Sequence, residues 1–598
     1  MEELRIIQRT VDRELEAKAV AAGMHPVAAR VLAGRGVKDL GEISEFLAAR
    51  LDSIPPPLLL KNMGKASRRL AMAVMGGEVI GLQTDYDVDG LGAHSVMKTV
   101  LTEVFGHPEE KIQSVVGNRL TEGYGMTDAV ADRILALSPR PTVLITADTG
   151  SSDEPRIARL KQADIEVIVT DHHMLPVEGA PGSAFAVINP QQPDCEYPDK
   201  AIAGGMVAWL LMAQTRRELV ECEYLTAEQS RGLVETLDYV ACSTVADCVS
   251  LGSSIANRAV VQKGLKLINE RRRPCWQAVE SLLGEDGATA ETISFGLAPR
   301  INSRTRLDEP MAALHFMMAK TLPDAAYWAE QLEKSNQARK EIERAITESA
   351  TEKAEALVAS GATGITLLLE NAHPGVQGIC ASRIIERFGR PALLCSPNIE
   401  DDSLVTGSAR GVPGFHCSEA LNAIKARHPG LLLKAGGHAA AAGLQLRRDD
   451  FGRFQDAMEA VTREMLAGVE LGPYLMTDGD LEEDLISTDT LKALSALEPF
   501  GRGFERALFT ANLRVAHVKR IGDGSHLKLK IGLGRKLVDA VWFRALDPED
   551  EVLPISQGET VRMAFELQEN VFRGRRSLQM MIRARTSGST MEGVVDPL

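Results

Sequence analysis

Paired cysteines, aromatic rings, net positive charge and long apolar runs are what this sequence has little of. Its eight cysteines are scattered and none stands in a Cys-x-x-Cys spacing, Cys242 and Cys248 being the closest. That argues against a disulfide framework or a zinc ribbon, and it makes a reducing, cytoplasmic location the expectation. No apolar run approaches the roughly 20 residues of a membrane span, so no membrane partner is expected. Met1-Glu2-Glu3-Leu4-Arg5 is acidic and lacks an apolar core, which argues against a secretory signal. The formal charge of −15 excludes indiscriminate nucleic-acid binding by the whole surface, though not by a local basic channel. Aromatic content of 4% keeps any base-stacking platform small.

What is present fills several cores. A chain of 598 residues is too long for one. Residues 1–55 read as a helical N-terminal region that ends at Pro55-Pro56-Pro57. Residues 56–320 carry an alternation of strand and helix patterns over most of their length. Residues 321–358 are charged, Ala-rich and free of Gly, which predicts a connector helix, an ordinary surface helix being the alternative. A second strand–helix block fills 359–468. Residues 469–598 change to short alternating strands with Gly turns, the pattern of a small barrel of the OB type. The fold class expected is therefore α/β: a parallel-sheet domain, a connector helix, a second α/β domain and a C-terminal OB-like β-barrel.

Three short apolar runs in the first block stop at aspartate. Glu78–Leu82 leads into Asp85-Tyr86-Asp87-Val88-Asp89-Gly90, Val143–Thr146 into Asp148, and Val167–Thr170 into Asp171-His172-His173. Ligands of parallel α/β sheets bind beyond the carboxyl ends of the strands. Five carboxylates and two histidines thus converge on one edge, where like charges need cations between them. Asp85-x-Asp87-x-Asp89-Gly90 also opens like an EF-hand loop, but its twelfth position is Val96, where calcium needs a bidentate Glu. Asp247 ends an apolar stretch. It reads as a further ligand, because an unpaired buried acid is costly, or as a helix cap. Oxygen and imidazole donors without thiolate suit Mg²⁺ or Mn²⁺. Two such ions in a carboxylate cage serve hydrolysis at phosphorus. The helix pattern after the first cluster points its N-terminus at the site, which favours phosphate.

The C-terminal block is basic against the acidic background: Lys519-Arg520, Lys528, Lys530, Arg535-Lys536, Arg544, Arg573, Arg575, Arg576, Arg583 and Arg585. Lys528 and Lys530 share one strand face and are candidates for tracking a phosphate backbone, with a solvated sheet face as the alternative. Phe500, Phe504, Trp542 and Phe572 are candidate stacking residues, or core.

In this order the motifs Asp85-x-Asp87-x-Asp89-Gly90, Ala147-Asp148-Thr149-Gly150, Asp171-His172-His173 and Val245-Ala246-Asp247 resemble the DHH phosphoesterase superfamily. Gly436-Gly437-His438-Ala439-Ala440-Ala441-Ala442-Gly443 resembles its DHHA1 partner domain. More narrowly, Pro299-Arg300-Ile301-Asn302, His373-Pro374-Gly375-Val376, Ala381-Ser382-Arg383, Gly407-Ser408-Ala409-Arg410 and Glu498-Pro499-Phe500-Gly501 are similar to motifs of the RecJ family. That family removes nucleotides from single-stranded DNA in the 5′ to 3′ direction. The resemblance covers about residues 25 to 585.

It implies a Mn²⁺- or Mg²⁺-dependent exonuclease of DNA repair and recombination, with two ions in the site. Asp85, Asp87, Asp89, Asp148, Asp171, His172 and Asp247 would hold metal, with His173 a ligand or phosphate contact. Arg300, Asn302, Arg306, His373, Ser382, Arg383, Ser408, Arg410, Gly436, Gly437 and His438 would hold the DNA. Single-stranded DNA is the implied partner, with a single-strand-binding protein and a helicase nearby, and a monomer is expected. A phosphodiesterase for short oligonucleotides or cyclic dinucleotides, and a DNA-binding scaffold without catalysis, are the alternatives. The chain departs from the family pattern at Gln83, where a His is usual, and at Thr149, Ser303-Arg304-Thr305, Phe504 and Arg506-Ala507.

Overall fold

The computed structural model describes residues 4–284, 287–307, 310–399, 401–572, 574–586 and 591–592. The chain divides into two compact units. One comprises Glu45–Arg339 with Pro499–Glu505, and the other Met1–Ser44, Lys340–Glu498 and Arg506–Leu598.

The first unit is built on five parallel strands: β1 (Ile80–Thr84), β2 (Ile112–Val116), β3 (Val143–Ala147), β4 (Glu166–Thr170) and β5 (Ala186–Ile188), in the order β2-β1-β3-β4-β5. Strands covered on both faces read as continuous apolar runs. Alternate side chains here feed two separate cores. Ile80, Leu82, Val143, Ile145 and Ile168 pack on one face, and Leu144, Val167 and Val169 on the other. The first face is covered by helices that matter for the site: α1 (Val88–Thr99), α2 (Gly204–Glu221) and α3 (Leu237–Ala246), with buried Leu91, Val96, Met206, Leu210 and Val240.

The second unit contains a five-stranded mixed sheet in the order Leu432–Gly437, Ala441–Arg447, Leu404–Arg410, Ala392–Pro397, Ile365–Leu368. It also contains a closed barrel formed by Phe509–Ile521, His526–Leu533, Lys536–Trp542, Arg575–Arg585 and Thr560–Phe572. The helix expected over 321–358 is a single one, Leu322–Ala359.

The expected helical N-terminus needs correction. Helices follow, but the chain opens with a strand, Arg5–Gln8, that pairs in parallel with Tyr474–Thr477. Ile6 and Ile7 are buried there, and the close ion pair of Arg35 with Asp478 fastens the same region. A strand of four residues with two apolar positions carries no periodic signal of its own; pairing made it a strand.

Candidate metal centre and nucleic-acid contacts

The sheet register aligns the aspartates. Thr84, Ala147, Thr170 and Ile188 are successive partners at the strand ends. The ladder runs one residue further: Asp85 N–H donates to the Ala147 carbonyl, Asp148 N–H to Thr170 and Asp171 N–H to Ile188. Asp85, Asp148 and Asp171 therefore stand side by side at the carboxyl edge. Asp148 sits at φ +60°, a left-handed conformation that a non-glycine residue adopts at a cost of about 1–3 kcal/mol.

The remaining acids arrive on helix ends. Asp87 caps α1, its Oδ1 accepting from the amides of Asp89 (2.9 Å) and Gly90 (3.2 Å). Asp89 is buried and held by the start of α2, with Gly205 N–H on Oδ1 at 2.7 Å and Gly204 N–H on Oδ2 at 2.8 Å. The Ser243 hydroxyl also donates to Oδ1. Two amides at a helix N-terminus suit an anion. Both glycines are required, because a Cβ on Gly205 would lie 2.2 Å from Ser243 Oγ and one on Gly204 2.8 Å from the Asp148 Cβ. Asp247 follows the last residue of α3, so it is a helix cap in its backbone and a site residue in its carboxylate.

His172 is where these groups meet. Its Nε2 lies 3.2 Å from Asp148 Oδ1, and 3.6 Å from both Asp89 Oδ2 and Asp247 Oδ2. Asp148 Oδ1 and His172 Nε2 are buried and make no hydrogen bond. Ligand atoms gather in three groups: Asp89, His172 and Asp247; Asp85, Asp87 and Asp148; and Asp148, His172 and His173. Burial, then the neighbouring carboxylates, raise Asp148 and Asp247 well above the usual carboxylate range. Burial, then Asp87, does the same to Asp85. Burial lowers His172 and leaves its imidazole neutral. Neutral imidazole, acids that cannot all ionise beside one another, and orphaned buried donor atoms fit divalent cations with oxygen preference.

Asp171 lies outside these three groups, and both of its oxygens accept hydrogen bonds. Oδ1 accepts from His172 N–H, His173 N–H and His173 Nδ1 (2.8 Å), and Oδ2 from Ser151 N–H (3.0 Å). Burial acts to raise Asp171, but the His173 hydrogen bond and charge hold it well below the usual range. In turn burial acts to lower His173, but the Asp171 hydrogen bond and charge outweigh it and lift the imidazole to about 9. Asp171 positions the two histidines.

Three features escaped the sequence reading. Tyr124 donates to the Asp148 carbonyl (3.3 Å) and its hydroxyl lies 3.1 Å from His173 Nδ1, the residue as a whole being exposed. Its signal was the flanking pair Gly123 and Gly125, both at positive φ. Ser243 and the Gly204-Gly205 pair are the others. Gln83 is buried on the strand β1, with Nε2 donating to the Thr84 carbonyl and Oε1 unpartnered.

The expected DNA contacts fall in several places. Asn302 Oδ1 accepts from Val88 N–H at 3.1 Å and so steadies the Asp87–Asp89 loop. Arg300 is engaged with Glu333 and the Gly296 carbonyl, and the charge of Arg306 acts on Tyr86. His373 caps a short turn through Gly375 N–H, Ser382 donates within its own helix, and Arg383 pairs with Glu386 and Glu343.

Ser408 and Arg410 lie on one strand and Gly436 and Gly437 on another, with Ala441–Arg447 between them. Gly443 pairs with Ser408 on one side and Gly436 on the other, while Arg410 Nη1 donates to Ser408 Oγ at 2.9 Å. Gly437, at φ +146°, leaves no room for a Cβ beside Ala442, whereas Gly436 is open and exposed. His438 follows at the exposed turn of this hairpin.

On the barrel, Lys528 is exposed and directly opposite Lys519. Lys530 instead pairs with Asp539 at 2.8 Å. Arg576, Arg583 and Arg585 pair with Glu569, Glu566 and Glu559, as a solvated face would. Phe500 and Phe504 are buried and stack on each other, so core packing is their role. Trp542 is partly buried, while Arg573 and the Phe572 side chain lie outside the described residues.

Comparison with known proteins fits this arrangement. Family models match in three places: the DHH family N-terminal domain over residues 79–244, the DHHA1 domain over 361–464 and the RecJ OB domain over 477–584. The single-stranded-DNA-specific exonuclease RecJ of Dickeya dadantii is 33% identical over 564 residues, covering 92% of this chain and 94% of the relative. The chain belongs to the RecJ family. The Escherichia coli RecJ exonuclease is 32% identical over 594 residues, 97% of this chain and 99% of that protein. Among solved structures, Thermus thermophilus RecJ in complex with Mn²⁺ superposes with a TM-score of 0.79 at 26% identity, covering all of this chain and 81% of that one. The same RecJ with Mg²⁺ gives 0.72 at 25%, with all of this chain and 80% of that one covered.

Proposed function

We propose that this chain is a Mn²⁺- or Mg²⁺-dependent exonuclease that hydrolyses phosphodiester bonds of single-stranded DNA from the 5′ end. The observation that carries the reading is the meeting of Asp148 Oδ1 and His172 Nε2, both buried and unpartnered, with Asp89 and Asp247. Asp89, His172 and Asp247 would hold one ion and Asp85, Asp87 and Asp148 a second. Bound divalent ions supply a deprotonated water at neutral pH and offset charge on the phosphoryl oxygens.

The chain's own part is positioning and electrostatics. The Gly204 and Gly205 amides and Ser243 fix Asp89, Asn302 fixes the loop before it, and Asp171 fixes both histidines. His173, held cationic by Asp171, adds positive charge beside the acids where a phosphate would enter. Ser408, Arg410 and the Gly436–His438 hairpin would grip backbone phosphate, a contact without base preference. Lys528, opposite Lys519, would track the strand further along. DNA repair and recombination in the cytoplasm, as a monomer near a single-strand-binding protein and a helicase, belong to this reading.

The test is digestion of 5′- and 3′-labelled single strands and of duplex in Mn²⁺. Early release of the 5′ label from single strands alone is expected. Preferential hydrolysis of a dinucleotide over a long strand would favour the short-oligonucleotide alternative instead.

A further inference from the structure

The segment Pro499–Glu505 belongs to the unit that carries the metal centre, while the residues on both sides of it belong to the other unit. Phe500 and Phe504 are buried, and Phe504 packs 4.7 Å from Phe46. Arg258, fully buried, lies over both the Phe46 and Phe504 rings and donates to the carbonyls of Pro499 (3.0 Å) and Phe46 (3.3 Å). Gly501 and Phe504 exchange backbone hydrogen bonds around a tight turn, with Gly503 at φ +73°.

That turn rests on the loop that follows Asp247. Leu251 N–H donates to the Arg502 carbonyl at 2.9 Å. A Cβ on Gly252 would lie 2.2 Å from the Gly503 carbonyl oxygen, and one on Gly503 2.7 Å from Ser250 Oγ. The loop begins at Cys248, at φ +56°, a conformation its own residues do not favour. Ser250 Oγ ties it down by accepting from Gly252 and Ser253 N–H, and Asn257 Nδ2 donates to the Ser250 carbonyl. The loop between Asp247 and α-helix Ile255–Asn269 is thus pinned from outside by the 499–505 turn.

We infer that Pro499–Glu505 is a positioning element for the metal centre: its turn holds the Ser250–Gly252 loop and so fixes the Asp247 carboxylate against His172 and Asp89. The inference rests on Asp247 being a metal ligand. Partners that orient a ligand change metal affinity by about 10–100-fold when removed. The glycines make the contact by absence of a side chain, so adding one methyl group lifts the turn off the loop.

The experiment is Mn²⁺ titration of the full chain by calorimetry for Gly252→Ala, Gly503→Ala and Asp247→Asn, with circular dichroism to select folded variants. Either glycine variant tests the contact if the other fails to fold. The expected result is Mn²⁺ affinity weakened by about tenfold in the glycine variants, with single-strand digestion recovering as Mn²⁺ is raised. A merely structural contact would lower the melting temperature and leave Mn²⁺ affinity unchanged. Wild-type Mn²⁺ affinity in the glycine variants, with Asp247→Asn impaired, would overturn the positioning role alone. Wild-type affinity in Asp247→Asn would overturn the ligand assignment and the inference with it.

Discussion

Asp171 and Asp247 both end apolar stretches, yet they do different work. The Asp247 carboxylate lies 3.6 Å from His172 Nε2, while Asp171 spends its oxygens on three backbone amides and the His173 ring. Residue order could not separate them, because what occupies a carboxylate is decided by amides that reach it from elsewhere in the fold. His173 reports the difference. Its pKa of about 9 lies above the ordinary value of about 6.5. The pair therefore contributes stability fully below pH about 6.5 and loses it as pH rises through about 9. In metal-free protein, Asp171→Asn should return the His173 ring resonance toward its ordinary titration, measured by NMR, and a ring still titrating near 9 would contradict the pairing. The buried acids work in the other direction. Asp85, Asp148 and Asp247 are raised above the usual carboxylate range, so a cation competes with protons for them; Mn²⁺ affinity should rise with pH, and a flat calorimetric profile would count against the ligand set.

At the scale of elements, the strand ends were the most legible feature of the sequence. β3 and β4 are nearly continuous apolar runs and β1 is buried along its length, and their one-residue extension of the ladder is what makes three separated aspartates neighbours. A helix after the first aspartate cluster was also legible, and the structure gives it Asp87 as its cap. The start of α2 was not, because two glycines at a helix N-terminus look like a turn until Asp89 is seen on their amides. Gly205→Ala should cost about 1–3 kcal/mol of stability by forcing Ser243 aside. It should also weaken Mn²⁺ binding by displacing Asp89, and thermal unfolding with and without Mn²⁺ separates the two effects. The Arg5–Gln8 strand was illegible because its partner lies more than 460 residues away in sequence.

For the whole molecule, net charge and local charge point in opposite directions. A chain at −15 binds DNA through restricted surfaces, and the barrel strands place Lys519 opposite Lys528. Like charges directly opposite one another destabilise a sheet unless an anion lies between them. Lys528→Ala should reduce the salt slope of single-strand binding by about 0.7, with Mn²⁺ affinity unaltered; an unchanged slope would remove this face from the DNA path. The block pattern of the chain was readable from periodicity, whereas the division into units was not, because 1–44 and 499–505 join distant segments. The central claim is that the strand-end acids and His172 form the hydrolytic centre. The most direct test is the rate of Mn²⁺-dependent release of nucleotides from a 5′-labelled single strand by wild-type protein and by Asp89→Ala. A folded Asp89→Ala variant with a rate reduced by at least about 10³-fold, or ~4 kcal/mol, is the predicted result, and digestion at the wild-type rate would contradict it.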